Sequence, residues 1–193
     1  MVRWLLQLLL FVVLGAGLGY GTADYAMQRG FAAITLSNGP WVIWPAEGSP
    51  TADPYTRAHF AAGGYLPVAV FEAITYRAET DSDGEPLRQD CEYVVHGTLP
   101  PARWWAIAAY SRDLQVIANE AERYSFNSYN VLRQGDGTVT IRIAAAARPG
   151  NWLPVDGSGD AFSLTLKLFN PDHTVRSRYA TVPLPEITRL QCQ

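Results

Sequence analysis

The chain has 193 residues, 48% of them hydrophobic and 17% charged, with a formal net charge of −3. That balance describes an ordinary globular domain with a real core, not a disordered chain. A net-acidic chain without a basic face excludes nucleic acid as a partner, and no run of five like charges exists to form an interaction tail.

From Trp4 to Tyr20 the sequence is apolar, broken only by Gln7 and preceded by Arg3. At ~1.5 Å per residue this run covers about 26 Å, against a hydrocarbon core of ~30 Å. As a retained helix, residues 4–21 anchor the protein in the bacterial inner membrane. As a secretory signal, the run ends at a cleavage site for which Gly21-Thr22-Ala23 has the small residues required. Both readings put the rest of the chain in the periplasm, because Arg3 favours an amino terminus held inside. A buried helix of a soluble protein is a third reading. Gly15 and Gly19 form a G-x-x-x-G pair of the kind that lets two membrane helices approach. The expected organisation is an anchor or uncleaved signal over residues 1–22, a linker or helix over 23–40, and a β-sandwich over 41–193.

Asn38-Gly39-Pro40 marks a turn, followed by a short strand over Trp41–Trp44. Asp53 suits a helix cap, Pro54 the first helical position and Gly63 the stop, so a helix is expected over 54–62. The pattern then changes to period two. Strands are expected over Val68–Arg77, Glu92–Leu99, Trp104–Tyr110, Thr138–Ile143 and Phe162–Phe169, with weaker ones at Leu114–Ala118 and Ser125–Leu132. Asn170-Pro171-Asp172-His173 should turn the chain into a last strand near Val175–Val182. Many short strands without strand–helix alternation predict a mainly β fold, an antiparallel, jelly-roll-like sandwich.

Cys91 and Cys192 are the two cysteines. In an exported chain an even number reads as one disulfide, closing a loop of about one hundred residues and contributing roughly 4–5 kcal/mol in chain-entropy models. Two free buried thiols are the other reading. Lys167 is the single lysine among fifteen basic residues.

The order of these elements resembles the bacterial domain-of-unknown-function 1214 family. The resemblance rests on Asn151-Trp152-Leu153-Pro154, the Leu-x-Leu-x-Leu strand and the Asn170-Pro171-Asp172 turn. Arg123-Tyr124-Ser125, Asp136-Gly137-Thr138 and Pro183-Leu184-Pro185 fit it as well. The 53–58 segment and Asp90-Cys91-Glu92-Tyr93 are similar to its short, membrane-anchored branch. The resemblance implies a β-sandwich, often encoded with or fused to a partner called domain of unknown function 1254. It brings no catalytic residues.

Catalysis finds little support in the residues. Glu72, Glu92, Asp113, Glu120 and Glu122 are acidic candidates for the carboxylate pair of a glycoside hydrolase. Glu72 stands out inside an expected apolar strand, where burial would penalise its charge; the solvent face of that strand or an arginine partner is the alternative. His59, His96 and His173 lack metal-ligand spacing, and Asp81–Glu85 lacks the downstream glutamate of a calcium loop. Neither a nucleophile elbow nor a phosphate loop is present, so no metal or cofactor is expected. Binding is the more natural role. Adjacent Trp104 and Trp105 must send one ring inward and one outward. Asn151 and Trp152, between Pro149-Gly150 and Pro154, are expected in a stiff irregular loop that either binds or simply closes the sandwich. Tyr55 and Arg57 on the 54–62 helix complete the candidates. The sequence therefore predicts a non-catalytic binding or partner-interaction module of the cell envelope, with a carbohydrate-active enzyme or carbohydrate-binding module as the alternative.

Overall fold

A computed structural model describes residues 2–192. Helix α1 (Val2–Arg29) is long and apolar enough to cross a membrane, and of its residues only Ala26 is buried against the protein. The helix runs two turns past the apolar stretch and ends at Gly30, whose positive φ of 70° suits a helix stop. The 23–40 segment thus holds the last turns of α1, a turn, and the first strand β1 (Leu36–Asn38).

Two sheets form the body. β1, β2 (Trp41–Ile43), β3 (Ala73–Ala78), β5 (Ala102–Ser111), β6 (Ser125–Asn127) and β9 (Phe162–Pro171) make one, in the antiparallel order β1-β2-β3-β9-β5-β6. β4 (Cys91–Gly97), β7 (Val139–Ala144), β8 (Asn151–Pro154) and β10 (Glu186–Cys192) make the other, in the order β10-β4-β7-β8, with β8 parallel to β7. The fold is the expected β-sandwich. Its core follows from period-two alternation: Leu164, Leu166 and Leu168 on β9 are fully buried, and Leu166 lies opposite both Tyr76 and Ile107. Ile141 and Ile143 on β7 and Tyr93 and Val95 on β4 close the core from the other sheet. Cys91 and Cys192 are bonded across paired positions of β4 and β10, which ties the last strand to the sheet.

Between β2 and β3 the chain makes a strap over the outer face of the six-stranded sheet. Helix α2 (Pro54–Ala62) lies within it, and the Asp53 carboxylate accepts hydrogen bonds from the Tyr55 and Thr56 amides at its start. Glu47 and Tyr65 fasten the strap to outward residues of β3: the Thr75 hydroxyl donates to Glu47 at 3.4 Å, and Arg77 donates to the Tyr65 hydroxyl. Gly48, at φ 65°, allows the strap to double back, because a Cβ there would strike the Ala69 backbone. His59 sits between the rings of Trp44 (4.2 Å) and Tyr65 (5.7 Å) and donates through Nδ1 to the Met27 carbonyl of α1 at 2.7 Å. Phe31 meets Tyr55 edge-on. Desolvation by this packing lowers the His59 pKa, so the ring stays neutral and holds the α1 joint as an uncharged donor.

Four expectations are corrected. The strand placed at 68–77 begins only at Ala73, since the Ala69 carbonyl takes the amides of Glu72 and Ala73 and bends the chain there. Residues 114–118 form a turn back on Ser111, with Leu114 at φ 61°, and only Val116 bridges to β5. In place of a strand near 175–182, the Asp172 carbonyl accepts from Val175 and Arg176 and starts α3 (His173–Ser177). Asn151–Pro154 is an edge strand, not an irregular loop; Pro154 has no N–H to offer, and an edge position tolerates that.

Candidate functional site

The edge where β8 approaches β6 is the most constructed surface of the molecule. Asn151 is buried in β8, and its bonds join a neighbouring loop to β7. Its Oδ1 accepts from the Leu132 amide at 2.7 Å, while Nδ2 donates to the carbonyls of Leu132 at 2.8 Å and Thr140 at 2.9 Å. The other end of that loop is tied by Asn127 and Asn130: Asn130 accepts from the Asn127 amide, and Asn127 accepts from the amides of Tyr129 and Asn130. The short polar side chains replace missing ladder bonds and fix the turn, while Val131 alone of its apolar residues packs against the core. Between these clamps Tyr129 is 84% exposed and Leu132 67% exposed. Such exposure of large apolar groups on an ordered turn is unlike a frayed loop.

Beside them, Trp152 lies half-buried and donates through its indole N–H to the Ala144 carbonyl at 2.8 Å. Arg123 donates to the Trp152 carbonyl at 3.1 Å and places its guanidinium 5.8 Å from the Trp152 ring and 5.7 Å from Phe126. Asn119 orders the approach to Arg123 by pairing with both its amide and its carbonyl. The result is a preorganised patch of Arg123, Tyr129, Leu132 and Trp152, with half-exposed Tyr124 next in sequence to Arg123. It can contact a partner at little conformational cost.

The outer face of the four-stranded sheet continues from this edge. Trp152 lies opposite Arg142, and Arg142 opposite Val94. Glu92 is buried at the far side, paired with Arg148 through both carboxylate oxygens at 2.9 and 2.8 Å and with Arg142 at 3.6 Å. The Arg148 hydrogen bonds hold the Glu92 carboxyl below its ordinary pKa, so it stays ionised and saturated, a poor proton donor. The carboxylate that lines the same groove, Asp90, is itself paired with Arg88 at 2.9 Å.

The remaining candidates fall elsewhere. Trp105 is buried in the core and Trp104 faces outward, as adjacent strand positions require; Arg133 reaches over Trp105 at 5.7 Å. Trp104 packs on Phe169 at 5.1 Å, and Lys167 lies over the same Phe169 ring. Glu72 is exposed in the turn ahead of β3, and its carbonyl accepts from Asn170. Tyr55 and Arg57 are on α2, far along the strap. Of the candidates, then, only Asn151 and Trp152 share a site, and Asn151 acts there by positioning. Among the described residues no group of three metal-ligating side chains is assembled.

Three features escaped the sequence reading. Tyr129 and Leu132 carried a weak signal in the Asn127/Asn130 turn pair. Glu47 carried none. It is buried under the strap, and desolvation raises its pKa from 4.5 to about 6, with Lys167 and Thr75 opposing the shift. Lys167, the single lysine, faces outward on β9 opposite Thr75.

Fold and site together define a two-sheet β-sandwich protein with one N-terminal helix able to cross a membrane and a fixed polar-aromatic edge. A family model, "Protein of unknown function (DUF1214)", matches residues 72–173, just over half the chain, from the turn before β3 to the start of α3. The chain belongs to the DUF1214 family. Among solved structures it is similar to the VPA0106 protein from Vibrio parahaemolyticus, with a TM-score of 0.60 and 23% identity over 73% of this chain and 36% of that one. It also matches a putative uncharacterized protein from Burkholderia cenocepacia, with a TM-score of 0.48 and 18% identity over 89% of this chain and 39% of that one. The chain therefore spans little more than a third of the solved proteins it matches. No curated protein matches it.

Proposed function

We propose that this protein is a non-catalytic partner-binding module of the cell envelope, held in the inner membrane by residues 4–21 with its β-sandwich in the periplasm. The partner is an envelope protein of the domain-of-unknown-function 1254 type, and it docks on the Tyr129–Leu132–Trp152 edge. The observation that carries this reading is the clamped loop: Asn151 holds the Leu132 amide and carbonyl, Asn127 and Asn130 hold the Tyr129 end, and two large apolar residues stay exposed between them. A surface that only closed the sandwich would gain by burying them. Glu92 is ionised and arginine-saturated, and Asp90 beside it is paired with Arg88, so neither is a ready acid for hydrolysis, which ranks the carbohydrate-active alternative second. Tyr129 and Trp152 would be that alternative's sugar platforms.

The test mixes the detergent-solubilised protein with a purified 1254-type domain at micromolar concentration. A complex is expected for the native chain, with at least tenfold loss in a Tyr129→Ala/Leu132→Ser variant, on the scale of an interface hot spot. An Asn151→Ala variant should also lose binding and should unfold about 2 kcal/mol earlier, from the polar groups it strands. Equal binding by all three sinks the edge as the docking site. No complex at all, with saturable binding on a glycan array, hands the case to the carbohydrate reading.

A further inference from the structure

Strap and helix α2 enclose a second feature, unrelated to the β6/β8 edge. A groove of about 280 Å³ runs between the 46–52 loop and α2, floored by Ala52, Thr56 and Phe60 and walled by Ala61, Tyr65 and Pro67. At ~30 Å³ per water-sized group it holds about nine such groups, enough for one aliphatic chain. Arg57 is the single charged residue lining it. Its guanidinium is steadied by one hydrogen bond to the Pro50 carbonyl at 2.7 Å, out of five donors available.

The same helix touches α1 through His59 on Met27, and its Tyr55 meets Phe31 just past the end of α1. Met27 is seven residues beyond Tyr20, the end of the apolar run, or about 10 Å along the axis. A headgroup layer is roughly 6 Å deep on each side. The end of α1 that α2 touches therefore stands just above the lipid headgroups if α1 spans the membrane, and in this respect the inference rests on the anchored reading given above. We propose that the groove binds a medium-chain fatty acid, its alkyl chain along Phe60 and its carboxylate on the Arg57 guanidinium. The planar fork of arginine matches a carboxylate in two parallel hydrogen bonds.

The experiment uses the full chain in lipid nanodiscs and measures equilibrium uptake of radiolabelled decanoate, with decanol as the uncharged probe of equal length. One saturable equivalent of decanoate per chain is expected above the linear partitioning into lipid. Arg57→Gln should weaken decanoate about tenfold and leave decanol unchanged. Ala61→Phe, which fills the groove from an exposed position, should remove the saturable component for both. Equal uptake by the native chain and Ala61→Phe overturns the site. Insensitivity to Arg57→Gln overturns the carboxylate contact, and a diacyl phospholipid co-purifying in place of decanoate overturns the occupant. Extraction by alkaline carbonate is scored separately: release of the protein with decanoate binding intact would defeat the anchor and spare the groove.

Discussion

The outer faces of the two sheets solve one problem in opposite ways. Each carries a buried glutamate. On the four-stranded sheet Glu92 is met by two arginines, and its charge is favoured. On the six-stranded sheet Glu47 is covered by the strap and, among the described residues, meets only a long hydrogen bond from Thr75, the Val68 backbone and a more distant Lys167, with no arginine against it, and its charge is penalised. Burial alone does not decide the sign of such a shift; the count of donors does. The uncovered face can afford a permanent charge, whereas the covered face works best with a neutral one.

Three experiments press on that contrast. The largest effect should come from the covalent tie on the open sheet. Cys91→Ala/Cys192→Ala is expected to cost about 2–4 kcal/mol, read from the urea midpoint, because β10 has only Ile187 buried to hold it without the disulfide. An unchanged midpoint would mean that β10 is held by its ladder and by Arg189 on Asp81.

Glu47→Gln comes next and should stabilise. The folded pKa of about 6 stands above the ordinary 4.5. Below 4.5 the group is protonated in folded and unfolded chains alike and costs nothing. Above 6 its buried charge destabilises by up to about 2 kcal/mol. The variant should therefore match the native protein at pH 4 and exceed it at pH 8; a gain that is equal at both would reject the buried charge as the cause. Smallest is Glu92→Gln, about 1–2 kcal/mol destabilising at pH 7, since both arginine partners are partly exposed to solvent. Here the pKa is depressed, so the stabilisation is present above the ordinary carboxylate range and disappears as pH falls through it. The two variants should show pH profiles of opposite slope.

The parts of this fold visible in the sequence are those whose signal is local. β9 alternates without interruption, Asp53, Pro54 and Gly63 frame α2 residue for residue, and the two cysteines leave one pairing. The parts that escaped depend on partners far along the chain. β10 has no alternation to detect because a single residue faces the core. β8 is a strand through its parallel pairing with β7, and the Asn151 bonds reach a loop 19 residues away. The strap looked like the start of β3 because Val68 and Val70 continue its apolar pattern. Glu47 is buried by a segment that no local rule places. The same holds for the candidate site: its aromatic anchor Trp152 was legible as a conspicuous residue, while Tyr129 and Leu132 became significant only when their exposure was known.

The stacked joint at His59 has a mechanical consequence. A hinge of glycines would let a tethered domain swivel and sweep a hemisphere above its attachment point. Here Trp44, His59, Tyr65 and the Met27 carbonyl lock the last turn of α1 to the body of the domain. Wherever α1 is fixed, the domain acts as a stiff bracket. Its accessible volume shrinks, and the local concentration it presents to a neighbour fixed in the same plane rises accordingly.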